Sequence, residues 1–271
     1  MRQVTPNVYV ETETPGCNYG FVVTSDGVVI IDSPQRPSDA VRWREEAAKK
    51  GPIRYVVNTE HHGDHVTGNF FFPGTVVSHQ ISRELFGLGP IEQLRDRIKD
   101  MDPEGLSLME GYQAKPAAIT YSERMSIYLG EHTFELIHAP GHTPGQTAVY
   151  VPQEEMLFTG DNVVNKVEPF FMQALPLKWV DSLERLAQLD VQAILPGHGE
   201  VCDKSAIAEI SALIKSRIET VREAIREGMS KEEAVEKIDF GSPYTYGPGL
   251  EARTREMQRM CITKLYDELT R

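Results

Sequence analysis

The chain has 271 residues, with 28 lysines and arginines against 40 aspartates and glutamates, giving a formal net charge of -12. A surface this acidic argues against nucleic acid and against anionic membranes as partners, because both are bound by basic faces. With 40% hydrophobic and 25% charged residues, the chain can bury one sizeable core or two small ones.

The N-terminus, Met1-Arg2-Gln3-Val4-Thr5-Pro6, lacks the apolar core of a signal peptide, and no run approaches the roughly 18 apolar residues of a membrane span. A cytoplasmic location is therefore expected. Cys17, Cys202 and Cys261 lie far apart and make no zinc-finger spacing, which fits packing residues in a reducing compartment.

Short apolar runs at Val8 to Val10, Tyr19 to Thr24 and Val28 to Asp32 predict strands, the last two joined by the turn Ser25-Asp26-Gly27. Ser38 is a candidate N-cap for a helix to about Lys50, which Gly51-Pro52 stops. Arg54 to Val57 reads as a buried strand, Val66 to Phe72 as a short helix and Thr75 to Ser78 as another strand. A helical region begins over His79 to Phe86. Residues 87 to 117 show helical spacing at Ile91 to Ile98, break at Asp102-Pro103, and otherwise read as a surface excursion in which Leu108 and Tyr112 are lid candidates.

Strands return at Ala118 to Thr120, Ser126 to Leu129, Phe134 to His138, Gln146 to Val151 and Met156 to Phe158. A helix over Leu177 to Leu189 and a strand over Ala193 to Leu195 follow. Asp203 to Gly228, Ser230 to Ile238 and Leu250 to Leu269 then read as helices. Leu250, Met257, Met260 and Leu265 form an apolar stripe that suits either core or a dimer face. Mixed strands and helices followed by an all-helical tail predict an α/β class with a helical appendage. A weak internal repeat relates Phe21 to Asp32 and Ala148 to Asp161. Each is a strand-turn-strand ending in aspartate, and each is followed by a helix, a short apolar strand and then histidine.

Chemistry concentrates in Asn58-Thr59-Glu60-His61-His62-Gly63-Asp64-His65, which holds three imidazoles and two carboxylates directly after an apolar strand. Converging metal ligands require such a density. Three further glycine-bearing segments follow apolar strands, and each carries a ligand type: His138-Ala139-Pro140-Gly141-His142-Thr143, Phe158-Thr159-Gly160-Asp161 and Leu195-Pro196-Gly197-His198-Gly199. Glycine beside a ligand lets the backbone approach an ion closely. His79, His132 and His138 match no ligand position and are read as structural.

These segments, in this order, resemble the metallo-β-lactamase superfamily of metal-dependent hydrolases. Its usual signature is His-x-His-x-Asp-His, then a distant histidine, an aspartate and a last histidine. The resemblance covers about residues 7 to 200. It implies a four-layer αββα sandwich over 1–202, on which the helices read in 203–271 would pack as an extension. It also implies two divalent metal ions. Glu60, His62 and His142 would form one site and Asp64, His65 and His198 the other, with Asp161 bridging. Zinc is the leading expectation. A metal-bridged hydroxide would attack the carbonyl carbon of an ester, lactone, thioester or amide in a small molecule. Asp64 would orient that hydroxide as well as bind, and Asp32 would support the ligands from behind them.

Glu60 departs from the signature, which has histidine at this position. Three readings stay open: Glu60 is a ligand, Glu60 does not bind and the first site is weak or empty, or the backbone shifts and His61 takes over. The alternation of 60, 62 and 64 in an extended segment favours the first. A third carboxylate would make the site less positive and harder, which brings manganese or iron into consideration beside zinc. An iron- or manganese-dependent, dioxygenase-like enzyme is thus the alternative to a hydrolase. His61 is either a structural histidine or a neighbour of the ligands. Lys166 (or Asn165), Phe170, Phe171 and Met172, in the segment after Asp161, are candidates for substrate contact. Tyr244 and Tyr246 would either cover the site or pack the tail.

Overall fold

The computed structural model describes residues 1–246 and 251–270. Seven strands form the first sheet in chain order. They are β1 (Arg2–Gln3), β2 (Val8–Glu11), β3 (Tyr19–Thr24), β4 (Gly27–Ile31), β5 (Ile53–Val57), β6 (Thr75–His79) and β7 (Ile119–Tyr121). The strands up to β4 pair antiparallel, and β4 to β7 pair parallel. The second sheet holds β8 (Arg124–Leu129), β9 (His132–His138), β10 (Thr147–Val151), β11 (Met156–Val164) and β12 (Ala193–His198), in the order β12-β11-β10-β9-β8. Within it only β11 and β12 are parallel.

Among the described residues eight helices surround the sheets: α1 (Pro37–Ala48), α2 (Gly63–Val66), α3 (Gln80–Leu85), α4 (Ile91–Met101), α5 (Pro176–Leu186), α6 (Ser205–Arg226), α7 (Lys231–Lys237) and α8 (Thr254–Leu269). The strand period of two decides how they stack. Val29 and Ile31 on β4 face inward to meet Phe134, Leu136, Val149 and Phe158 of the second sheet. Val28 and Ile30 face outward onto Ala40, Trp43 and Ala47 of α1 and Leu94 and Ile98 of α4. On the other side, Ala148, Leu157 and Ile194 face α5, α6 and α8. The result is a four-layer αββα sandwich with helices after residue 202 extending its outer layer. Among the described residues no helix is long and apolar enough to cross a membrane.

The internal repeat has a structural counterpart. The hairpin β3–β4 followed by α1 and parallel β5 matches the hairpin β10–β11 followed by α5 and parallel β12.

Local differences from the sequence reading have local causes. Helix α1 starts at Pro37, whose fixed φ suits a first helical position, so Ser38 is not its cap. The Ser38 backbone N–H and hydroxyl instead donate to the carboxylate of Asp102, each at 2.9 Å. That contact fastens the excursion over residues 87–117 to α1. Tyr112 is buried, with its hydroxyl donating to the Thr67 carbonyl at 2.8 Å, so it is a core anchor and not a lid. The helix expected from Val66 divides into α2 and a 3-10 turn over Thr67–Phe71. Of the apolar stripe on α8, Leu265 is fully buried and Met257 packs half-buried against the same core beside Cys261 and Ile262, while Met260 is half-buried outside that cluster. Leu250, the first residue of that stripe, lies outside the described residues.

Candidate metal centre

Four strand ends deliver the polar groups. β5 runs into the loop carrying Glu60, His61 and His62, and α2 follows with Asp64 and His65. His142 lies in the turn between β9 and β10. Asp161 and His198 sit inside β11 and β12, which run further than the sequence suggests and are irregular in register at Gly160–Pro196 and Val164–His198. That irregularity re-aims the two side chains toward the other sheet. Gly197 is required there, since a Cβ would run into Asp161 Oδ1. Gly160 has φ +50, a left-handed conformation that glycine adopts at little cost. Two backbone bonds close the seam between the sheets: Thr147 N–H to the Thr59 carbonyl and Asn18 N–H to the Gly197 carbonyl, each 2.7 Å.

Three groups of donor atoms converge, each within 4.8 Å: Glu60, His62 and His142; Asp64, His65 and His198; and Glu60, His65 and Asp161. Asp161 lies between the first two groups, with Oδ2 at 3.5 Å from His142 Nε2 and 3.4 Å from His198 Nε2, and Oδ1 at 3.3 Å from His65 Nε2. Asp64 Oδ2 is 3.5 Å from His198 Nε2 and 3.8 Å from His65 Nε2. Glu60 is fully buried, with Oε2 against His62 Nδ1 and Oε1 3.7 Å from His65 Nε2. His61 belongs to none of these groups.

Surrounding residues fix which imidazole nitrogen faces inward. Asp32 Oδ2 accepts from His65 Nδ1–H at 3.0 Å, leaving Nε2 bare toward the donors. Asp32 is itself held by the Thr59 N–H at 2.8 Å and the Thr59 hydroxyl at 2.7 Å, and it adopts φ +57 at the end of β4. The Phe170 carbonyl accepts from His142 Nδ1–H at 2.9 Å, which bares Nε2. The Gln173 carbonyl stands 2.9 Å from His62 Nε2 and 2.8 Å from His61 Nε2.

His65 Nε2 and Asp161 Oδ1 are buried without a hydrogen-bond partner, as is Glu60 Oε2 despite the adjacent imidazole. Buried lone pairs of one polarity converging on a point are costly unless a cation lies among them, so the donor set fits divalent metal. In the metal-free chain protons take that place. Burial disfavours a charged His62, but the Glu60 carboxylate outweighs it and raises the imidazole to about 9. His198 is raised to about 10 in the same way, burial being overcome by Asp161. Burial pushes Asp161 up, yet His198 and His65 hold it well below the usual carboxylate range. Cys17 is close by, but burial raises its thiol to about 12 and it donates to the Asp64 carbonyl, so it remains a packing residue.

Five of the donors, His62, Asp64, His142, Asp161 and His198, line a cavity of about 380 Å3, whose other walls include Gln35, Arg97, Phe170, Met172, Tyr246 and Met257. Two expected contacts do not reach it. Phe171 is fully buried against Trp179 and the C-terminal helices, because alternation along the segment turns it away from its neighbours. Lys166 has φ +57 and lines a separate cavity of about 560 Å3 beside α6, together with Asn165 and Tyr244. Gln173, Arg97 and the Phe170 carbonyl escaped the sequence reading. Each reaches the site from a segment without motif spacing, so no local signal marks them.

The sequence matches the profile described as Metallo-beta-lactamase superfamily over residues 13–198. Among curated proteins it is 25% identical over 184 residues to Beta-lactamase-like protein 2 homolog of Caenorhabditis elegans, covering 66% of this chain and 53% of that one. It is 27% identical over 183 residues to hydroxyacylglutathione hydrolase of Bartonella henselae, covering 66% and 61% respectively. The chain thus spans a little over half the length of these relatives. Among solved structures, a metallo-beta-lactamase family protein of Thermus thermophilus superposes with TM-score 0.67 at 16% identity, covering 98% of this chain and 94% of that one. At that identity the likeness concerns the fold.

Proposed function

The chain belongs to the metallo-beta-lactamase superfamily, and from that premise we propose that it is a metal-dependent hydrolase opening an ester, lactone, thioester or amide bond in a small molecule. The observation that carries this reading is the set of buried, unpartnered lone pairs on His65, Asp161 and Glu60, grouped with His62, Asp64, His142 and His198, which together with Asp161 line a substrate-sized cavity. Glu60, His62 and His142 would hold one ion, Asp64, His65 and His198 the other, and Asp161 both. Bound there, a pair of divalent ions supplies Lewis acidity and a water acidified toward neutrality.

The chain's own residues do the rest. Asp64 borders the cavity and orients the attacking water through its carboxylate, accepting a proton from it. Asp32 and the Phe170 carbonyl hold His65 and His142 in the tautomer that presents Nε2. Phe170, Met172, Tyr246 and Met257 exclude bulk water around the acyl group. Arg97 donates to the Leu88 carbonyl at 2.9 Å, and its remaining N–H groups can meet an anionic substrate group on the far wall. The hydrolase named among the relatives acts on an acylglutathione, a thioester, which supports that class as the first to test. The cysteines are free and include no disulfide, which supports a reducing, cytoplasmic setting.

One observation favours a second reading. Two histidines and a carboxylate, as in His62, His142 and Glu60, form a ligand set that suits iron(II) and oxygen chemistry. Metal analysis of protein purified without added metal, beside Glu60→His, tests both readings. A hydrolase retains turnover of a thioester, lactone and ester panel without oxygen and with zinc or manganese. The redox reading predicts iron in the wild type, oxygen consumption, and loss of both in Glu60→His.

A further inference from the structure

Gln173 is exposed on the segment after β11, yet its single carbonyl oxygen stands within hydrogen-bond distance of two adjacent imidazoles, His61 Nε2 at 2.8 Å and His62 Nε2 at 2.9 Å. An amide oxygen has two lone pairs, and here each faces one ring nitrogen. A neutral imidazole that donates from Nε2 leaves Nδ1 bare. For His62 the inner nitrogen shares its proton with the Glu60 carboxylate in the metal-free chain; once that proton is expelled, Nδ1 is bare and lies 3.3 Å from His142 Nε2, inside the first donor group. For His61 it is buried with no partner and outside all the donor groups.

We propose that Gln173 is a positioning residue that makes His62, and not its neighbour His61, the metal-binding histidine by holding both rings in the Nε2–H form. The inference rests on the metal centre proposed above. The two rings lie 4.7 Å apart, so without a restraint either could turn toward the Glu60 side of the centre. Gln173 removes that freedom by pinning the outer nitrogen of each ring to one point. Were the amide reversed, its nitrogen would donate to both Nε2 atoms. Both Nδ1 atoms would then carry protons, and His62 would present an N–H where a ligand lone pair is required. The segment is firmly seated: Leu175 N–H donates to the Gly141 carbonyl at 2.8 Å and Ala174 N–H to the Phe171 carbonyl at 2.9 Å. The same segment supplies the Phe170 carbonyl that orients His142. One stretch of chain, Phe170 to Leu175, therefore presets both imidazoles of the first donor group.

The test compares wild type, Gln173→Leu and Gln173→Glu loaded with zinc, a diamagnetic probe. Affinity is read by chelator competition and ring-nitrogen protonation by ¹⁵N NMR. Wild type should show His62 bound through Nδ1 with a slowly exchanging Nε2 proton. Gln173→Leu should weaken one of two zinc ions by roughly 10–100-fold and lose that slow proton. Gln173→Glu, which keeps an acceptor oxygen in place, should restore both, a rescue that a merely space-filling role would not give. Gln173→Leu with wild-type affinity and an unchanged His62 signal overturns the inference and leaves the centre standing. So does a Gln173→Glu variant as impaired as Gln173→Leu. A wild-type chain that takes up no zinc overturns both.

Discussion

Glu60 is fully buried where the family signature has histidine, and it lies against His62 and within 4 Å of His65 and His142. In the proposed centre a neutral ligand would thereby be exchanged for an anion, so three carboxylates rather than two would offset the charge of the ions. Those carboxylates also determine what the metal-free site does with protons. His62 and His198 are raised to about 9 and about 10, so near neutral pH both are protonated in the absence of metal. Ligation requires the bare nitrogen, so metal uptake must expel those protons and the apparent affinity must weaken as pH falls. Calorimetric zinc titrations in buffers of different ionisation enthalpy should register net proton release near pH 7. Titrations that come out independent of buffer would contradict the raised imidazoles.

At the scale of elements, the segment between β11 and α5 matters as much as the histidine-rich loop. It is fastened to the C-terminal helices by a buried ion pair. Arg217 of α6 donates to Glu168 from Nε at 2.8 Å and from a terminal nitrogen at 3.1 Å, and to the Phe240 carbonyl at 3.0 Å. Glu168 N–H adds a bond to the Thr245 carbonyl at 2.7 Å. Both side chains are almost wholly buried. Removing one member strands the other charge, so Arg217→Ala should cost about 3–5 kcal/mol in denaturant unfolding. Because this pair anchors the stretch bearing Phe170 and Gln173, the same variant should also bind zinc more weakly at low denaturant. A loss below 1 kcal/mol would mean the pair is more solvated than its burial indicates.

Across the whole molecule, α6 and α8 are structural necessities of the sandwich. Leu157, Val163 and Ile194 of the second sheet are fully buried beneath Ile207, Ile210, Ile214 and Ile262. A chain ending at Cys202 would bare that face, and a contiguous apolar sheet surface drives association. Truncation there should give aggregated or unfolded protein by size-exclusion chromatography and circular dichroism. A monomeric, cooperatively folding 1–202 fragment would instead show that the tail is an independent addition.

Much of the molecule is legible in the sequence because it depends on local rules. Short apolar runs bounded by turn residues marked the strands, and Gly51-Pro52 and Asp102-Pro103 marked helix ends. Glycine-bearing turns after those strands picked out Glu60, His62, Asp64, His65, His142, Asp161 and His198, which the fold brings together in overlapping donor groups. What stayed hidden depends on the other sheet or on a distant segment. The irregular pairing of β11 with β12 carries both strands past their apparent ends. The burial of Phe171 between exposed Met172 and half-buried Phe170 follows from where α8 packs. Gln173, 111 residues from His62, acquires a role only through tertiary contact. The sequence by itself determined which groups could bind metal, since ligand chemistry belongs to residue type. Only the tertiary structure decided which nitrogen each histidine presents, because that depends on the acceptor that packing places behind the ring.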